Sequence, residues 1–283
     1  LNAEPQIDLA IVGAGIAGST LKRLASEAGR DVVLIDGQQQ KAASRAALCV
    51  LRRSWQTGEQ RRRLEWTMRW YADNGWISAT EAIVTQTNGN TIAQKDWTLI
   101  DPLAPLIEPD IASHVVRIDH DSNTVFTAAG ETVRAGTIIV CAGPDSSKLS
   151  APHDKDRSLW GHTAVAQGSW IGCPIRVCHI GPYRSIIAVE SHGTTRLGSS
   201  KHQDRHRSLE AIHKMIDEAT KRGMVPADAP WEILEGERAV HPADTGAPRR
   251  TGERSWRLSG FARCGYSLAP ARASELLGAT GIA

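Results

Sequence analysis

Phenylalanine is nearly absent from this 283-residue chain: two Phe stand beside nine Trp. No apolar run approaches the roughly 18 residues that a membrane-spanning helix requires, so a helical membrane protein is excluded. No signal-peptide pattern appears at the N-terminus, and Leu1 in first place reads as a trimmed start. The five cysteines (Cys49, Cys141, Cys173, Cys178, Cys264) form no CxxC pair and no zinc spacing. An odd, scattered set reads as reduced thiols, which points to the cytoplasm and to no metal. No internal repeat and no low-complexity segment is visible. A large excess of one charge is also missing. The formal net charge is +2, so the chain is not globally basic.

Local basic clusters are present all the same: Arg52-Arg53, Arg61-Arg62-Arg63, the run from Lys201 to Arg207, and Arg249-Arg250. Together with the tryptophans they read in two ways. One is a phosphate-contacting surface with stacking partners, in which Arg61, Arg62, Arg63, Lys201, Arg205 and Arg207 meet a nucleic acid. The other is solvated helix faces around a tryptophan-rich core.

The strongest positive feature is Gly13-Ala14-Gly15-Ile16-Ala17-Gly18. It follows the apolar run Ile7 to Val12 and opens a helix-like stretch. A second apolar run, Val32 to Ile35, ends in Asp36 and Gly37. Strand, glycine turn, helix, strand and acid within about 30 residues is the dinucleotide fingerprint. Gly13 allows the tight turn, Gly15 admits a pyrophosphate, and Gly18 lets helix and strand approach. The helix N-terminus offers N–H groups to phosphate, and Asp36 can accept from ribose hydroxyls. The motif by itself does not separate FAD from NAD.

Beyond this βαβ unit the spacing predicts a helix over 58–73, with Leu64, Met68 and Tyr71 on one face. Short strands are expected near 82–87 and 97–100, around the turn Asn88-Gly89-Asn90. A β-meander follows over 114–140, and 162–200 is strand-rich. A helix is predicted over 207–222, strands at 231–240 and 255–260, and a final helix over 267–277. The fold class is therefore α/β (α+β), with a discontinuous Rossmann-like nucleotide domain and an inserted antiparallel β-rich domain.

Four ordered stretches then resemble the D-amino-acid oxidase or glycine-oxidase family of FAD enzymes. They are 11–18 with Asp36, the small-residue loop Ala43-Ser44-Arg45-Ala46-Ala47-Leu48, the strand 137–143, and Gly260 to Pro270. A narrower likeness is to the FAD domain of the bifunctional tRNA 5-methylaminomethyluridine-forming enzyme. It rests on 43–51 with the Arg-rich helix, on Gly236-Glu237-Arg238 with Asp244 and Pro248, and on Arg263-Cys264-Gly265 with 273–277. The chain departs from these relatives between the 43–51 loop and the 115–143 meander, where it is shorter, and it carries no methyltransferase domain.

The resemblance implies non-covalent FAD held by residues 1–75, 105–155 and 250–283, with 76–104 and 156–249 as the substrate domain. The implied cofactor residues are Gly13, Gly15, Ile16, Ala17, Gly18, Asp36, Gly37, Ser44, Arg45, Ala46, Ala47, Val116, Ala142, Gly143, Arg263, Cys264, Gly265, Tyr266 and Ser267. The implied reaction oxidises a glycine CH₂ attached to nitrogen. Water then releases glyoxylate and the free amine, and molecular oxygen is the terminal acceptor. The substrate would be an N-glycyl group on a modified uracil or thymine base, in tRNA or in phage DNA (placing the protein in the host cytoplasm if phage-encoded). Free glycine, sarcosine or a D-amino acid is the alternative, and a non-catalytic flavin- or nucleic-acid-binding protein is a third. Carboxylate capture suits the planar fork of arginine. Arg263 is the first candidate and Arg238 the second, the latter also readable as an ordinary salt bridge. Tyr183 and Tyr266 are candidate donors.

Overall fold

The computed structural model describes residues 7–38, 42–150, 157–181, 184–198, 200–241, 246–262 and 264–282. The chain divides into two compact units, 1–44 with 105–158 and 237–283, and 45–104 with 159–236. The boundaries differ from those expected from sequence. Residues 45–75 belong to the second unit and 237–249 to the first. The 158/159 and 236/237 boundaries fall inside the strands 157–167 and 232–240, so the C-terminal end of the latter belongs to the first unit.

In chain order the first unit opens with β1 (Ile7–Val12), α1 (Ile16–Glu27) and β2 (Val32–Ile35). The second unit follows with β3 (Val50–Arg52), α2 (Gly58–Asp73), β4 (Ile77–Ala79), β5 (Ala82–Thr85), β6 (Thr91–Gln94) and β7 (Trp97–Ile100). The chain returns to the first unit for β8 (Val115–Asp119), β9 (Thr124–Thr127), β10 (Thr132–Val140) and the short α3 (Ser146–Leu149). Next come β11 (Arg157–Gln167), β12 (Ile175–Gly181), β13 (Arg184–Ser191), β14 (Thr194–Gly198), α4 (Arg205–Lys221) and β15 (Glu232–Val240). The first unit closes with β16 (Arg249–Arg250), β17 (Ser255–Arg257) and α5 (Gly265–Thr280).

The first unit is built on a sheet of order β16-β17-β10-β1-β2, with the β8–β9 hairpin joined to β10. β1 lies parallel between β10 and β2, with Leu9 opposite Thr137 and Val32, and Ile11 opposite Ile139 and Leu34. A parallel strand covered on both faces needs apolar residues at successive positions. Leu9, Ala10 and Ile11 meet that need and are fully buried, as are Leu34, Ile35, Ile138, Ile139 and Val140. α1 packs on α5 and covers one face, placing Leu21 and Ala25 out of solvent.

The second unit holds a seven-stranded sheet of order β15-β11-β14-β13-β12-β5-β6 and a three-stranded sheet β3-β7-β4. The expected turn at Asn88-Gly89-Asn90 connects β5 to β6, a strand that sequence reading passed over. β6 is exposed almost throughout and carries no apolar alternation. In α2, Leu64, Met68 and Tyr71 are buried as their spacing demands, with Thr67 and Trp70 alongside. Ile212 of α4 is fully buried, and Leu209, Met215 and Ile216 pack around it. Asp204 caps α4 by accepting from the Arg207 N–H at 2.9 Å, which satisfies one of the free donors of its first turn. Among the described residues no helix is long and apolar enough to cross a membrane.

Candidate functional site

The turn after β1 is shaped by two close approaches. Gly13 has φ +107°, and a Cβ there would lie 2.5 Å from the carbonyl oxygen of Cys141, the residue after β10, the parallel neighbour of β1. A Cβ on Gly18 would lie 1.8 Å from the Gly13 carbonyl oxygen. Only glycine permits both the left-handed turn and the seating of α1 on β1. Gly18 therefore sits beneath the turn, packed away from the cavity that the turn faces.

That cavity, about 450 Å³, lies in the first unit. Gly13, Gly15, Ile16, Ala17, Asp36, Gly37, Ser44, Val116, Ala142 and Gly143 line it, together with Arg238 and Gly265. Three hydrogen bonds brace the turn at one end of it. The Asp36 carboxylate accepts from the Ala14 N–H at 2.7 Å and also from the Gln38 N–H. Ser44 Oγ accepts from the Ile16 N–H at 2.9 Å. A carboxylate has about four lone-pair sites, so Asp36 keeps acceptor capacity toward a ribose while it braces the turn.

The opposite wall is the end of β15. Glu237 bridges to Ala42, and Val240 bridges to Phe261. The Ala262 N–H donates to the Ala239 carbonyl at 2.9 Å. Arg238 thus stands between the 42–44 loop and the 259–262 loop, both of which line the cavity. Its side chain is largely removed from water, and desolvation pulls its pKa below the usual arginine value. Ala262, at the cavity edge, holds φ +51°. A left-handed alanine costs roughly 1–2 kcal/mol and marks a loop held by its surroundings.

Several expected residues take other positions. Tyr266 is buried and does not line the cavity; its hydroxyl donates to the Ser44 carbonyl at 3.2 Å. It therefore steadies the Ser44 loop. Ser267 is buried on α5, with its Oγ donating to the Cys264 carbonyl, and Cys264 is the half-buried residue preceding that helix. Arg45, Ala46 and Ala47 belong to the second unit, contrary to their grouping with the cofactor domain. There the Ala46 carbonyl accepts from Thr163 Oγ1, and the Arg45 and Ala47 carbonyls accept from Arg196. Arg263, Tyr183 and Asp244 lie outside the described residues.

Sequence reading passed over His114, Ser113 and Lys148, which also line the cavity. The His114 ring fills the space that a side chain at Gly37 would need, with Nδ1 2.1 Å from an added Cβ. Lys148 is bonded to Asp145 at 2.5 Å, and that bond raises its pKa. None of the three belongs to a periodic pattern or motif. Cys141, at the cavity floor, is buried, and desolvation pushes its thiol far up, so it is held neutral.

Of the basic residues expected to meet phosphate, Arg61 pairs with Glu65 and Arg63 with Glu59 along α2. Arg205 pairs with Glu235. Arg62, Lys201 and Arg207 are exposed. Among the described residues no cluster of His, Cys, Asp and Glu could hold a metal ion.

No protein-family model matches the sequence, and no curated protein matches it. Solved structures do. The chain is similar to a glycine oxidase from Bacillus cereus (TM-score 0.74, 13% identity, covering 98% of this chain and 95% of that one). It is equally similar to an iminodiacetate oxidase from a Chelativorans species (TM-score 0.74, 14% identity, 95% and 94% covered). A glycine oxidase from Geobacillus kaustophilus follows (TM-score 0.73, 15% identity, 98% and 94% covered). The chain has the fold of these oxidases over nearly its whole length.

Proposed function

We propose that this chain is an FAD-dependent enzyme that oxidatively cleaves the C–N bond of an N-substituted glycine. The observation that carries this reading is that the dinucleotide turn and the Arg238 side chain face a single cavity in one unit. Gly13 and Gly15 leave room for a pyrophosphate, and a Cβ at Gly13 would close the turn onto Cys141. When bound there, FAD supplies the two-electron oxidation. The chain's own residues bind and orient. Arg238, with its charge desolvated, can fix the substrate carboxylate and so set which hydrogen of the CH₂ faces the cofactor. Arg263 is the second candidate for that task. The balanced reaction converts R–NH–CH₂–COO⁻, O₂ and water into R–NH₂, glyoxylate and hydrogen peroxide.

For the group R we propose the methylene of a uracil-type base in nucleic acid (base–CH₂–), so that the product R–NH₂ is an aminomethyl base. An N-substituted glycine agrees with the iminodiacetate oxidase, whose named substrate is an N-carboxymethylglycine. A free amino acid is the second reading. The pairing of Arg61, Arg63 and Arg205 with glutamates favours it, because it withdraws those charges from phosphate. Anaerobic mixing separates the two. The flavin-loaded protein is mixed with an oligonucleotide bearing N-glycyl-methyl uracil, with sarcosine and glycine in parallel. Bleaching of the flavin by the oligonucleotide supports the nucleobase reading. Bleaching by free glycine or sarcosine alone overturns it in favour of a small-molecule oxidase. No bleaching by any of them overturns the oxidase reading itself.

A further inference from the structure

The second unit presents a tryptophan to solvent on a rigid mount. Trp55 is 45% exposed, at the end of the single turn 53–55 that follows β3. Its ring meets buried Trp97 edge-on, with centroids 5.3 Å apart and planes at 77°. The Arg52 guanidinium lies over the Trp97 ring at 4.7 Å. Arg52 is held in turn by Asp96 at 2.8 Å and Gln94 at 3.2 Å. Ser54 Oγ donates to the same Asp96 carboxylate, and the Arg53 N–H donates to the Asp96 carbonyl. The turn is therefore tied at three successive residues to one aspartate, and the indole has little freedom to fold inward.

Cations lie close to Trp55 in sequence and through the strand that its turn is tied to. Arg53 precedes it, and Lys95 adjoins the aspartate to which the turn is tied. Arg62 follows in the first turns of α2, and all three are exposed. The nearby acids are engaged elsewhere: Asp96 with Arg52, Glu59 with Arg63 and Glu65 with Arg61. Among the described residues no ion pair engages Arg53, Arg62 or Lys95. An exposed tryptophan on a tied turn, with exposed cations that no ion pair engages at residues 53, 62 and 95, fits a ligand that offers both an unstacked base and phosphates. A duplex offers the phosphates but no free base face.

We infer that Trp55, with Arg53, Arg62 and Lys95, forms a binding surface for single-stranded nucleic acid, one base stacking on the indole. The inference deepens the nucleobase reading above and rests on it, because a base that must enter a cavity has to leave its stack.

The test is fluorescence anisotropy with unmodified labelled 20-mers of thymidine and of uridine, over a series of salt concentrations. Trp55→Ala should weaken binding about tenfold, while Trp55→Phe keeps most of the affinity. Arg53→Gln and Arg62→Gln should each lower the salt slope by about 0.7. Leu103→Ala, at an exposed apolar residue of the same unit, should change nothing. The thymidine and uridine arms identify DNA or RNA as the source of the strand. Equal binding by wild type and Trp55→Ala overturns the inference, as does absence of binding. Tighter binding of a duplex, or equal competition by polyglutamate (the sign of an acidic protein partner), also overturns it. Because these strands carry no glycyl group, such a failure leaves the bleaching experiment to judge the oxidase reading separately.

Discussion

Replacing Gly18 by alanine should destabilise the first unit, whereas the same replacement at Gly278 should stabilise it. At Gly18 the new methyl would sit 1.8 Å from the Gly13 carbonyl oxygen and 3.2 Å from Ile11 Cγ2. The oxygen belongs to the turn itself, so no side-chain rotation relieves the contact. α1 would have to lift by more than about 1 Å from β1, loosening Leu21 and Ala25. Such overpacking costs about 1–3 kcal/mol and at times more; alanine's helix preference returns about 1 kcal/mol. Because the clash is with backbone, the upper part of the range applies, and a net loss of about 2 kcal/mol is expected. Gly278 is an exposed residue of α5 with nothing within 4 Å of an added Cβ. There the helix preference acts alone, and a gain of up to about 1 kcal/mol is expected. For a domain of this size each kcal/mol moves the melting temperature by about 2–4 °C. Thermal melts followed by circular dichroism should show Gly18→Ala lowered by about 4–8 °C and Gly278→Ala raised by 1–4 °C. Flavin retained after gel filtration should fall only in the first. If Gly18→Ala melts at or above wild type and keeps its flavin, the account of how α1 seats on β1 is wrong.

Three further outcomes are expected. Ala262→Gly should raise stability by up to about 1 kcal/mol, because glycine adopts φ +51° without the alanine penalty; denaturant titration checks it, and a loss would show that the Ala262 methyl is needed for packing. Arg238→Met should leave flavin bound yet slow its anaerobic reduction about 10–100-fold, the worth of one charge-assisted hydrogen-bonded contact; unchanged reduction kinetics would remove Arg238 from carboxylate binding. The second unit should lose stability on acidification. Burial pulls Asp96 and Glu235 upward, yet hydrogen bonds from Arg52 and Ser54, and from Arg205 and His162, hold both below the usual carboxylate range. A depressed carboxylate contributes fully above its unfolded pKa of about 4 and ceases to contribute as pH falls through its lower folded value. Glu235→Gln should therefore flatten the stability profile below about pH 4, and an unaltered profile would show that the Arg205 and His162 contacts do not persist in solution.

Where one local rule dominated, the sequence was legible. The βαβ start, α2 over 58–73, and the stripe Leu209, Ile212, Met215 and Ile216 all follow from periodicity or motif. β6 was missed because its exposed Thr91 and Ile92 carry no burial signal. The fate of residues 45–75 was not legible either. α2 follows β3, and long-range contacts commit that stretch to the second unit: the pairing of β3 with β7, some 45 residues later, and the bonds from Thr163 and Arg196 to the 45–47 carbonyls. In the cavity, the glycines and Asp36 were legible as a turn because so tight a strand-to-helix connection has few sequence solutions. His114 and Lys148 arrive by tertiary approach, and their neighbours in sequence say nothing of a site. The bond from the Tyr266 hydroxyl to the Ser44 carbonyl is likewise a tertiary approach, joining residues 222 positions apart.

The first unit is assembled from three separated stretches, and this bears on its biosynthesis. β1 emerges early but finds its partner β10 only after some 120 further residues, and Arg30 at the end of α1 donates to the carbonyls of Gly281 and Ile282. A nascent chain therefore cannot close the cavity until its third stretch has emerged. Until residues 265–282 leave the ribosome, β1 and α1 lack the α5 that covers them, and the cofactor has no complete cavity to enter. Such a chain depends on whatever shields β1 in the meantime, and its yield of loaded protein should respond to chaperone supply more than to flavin supply.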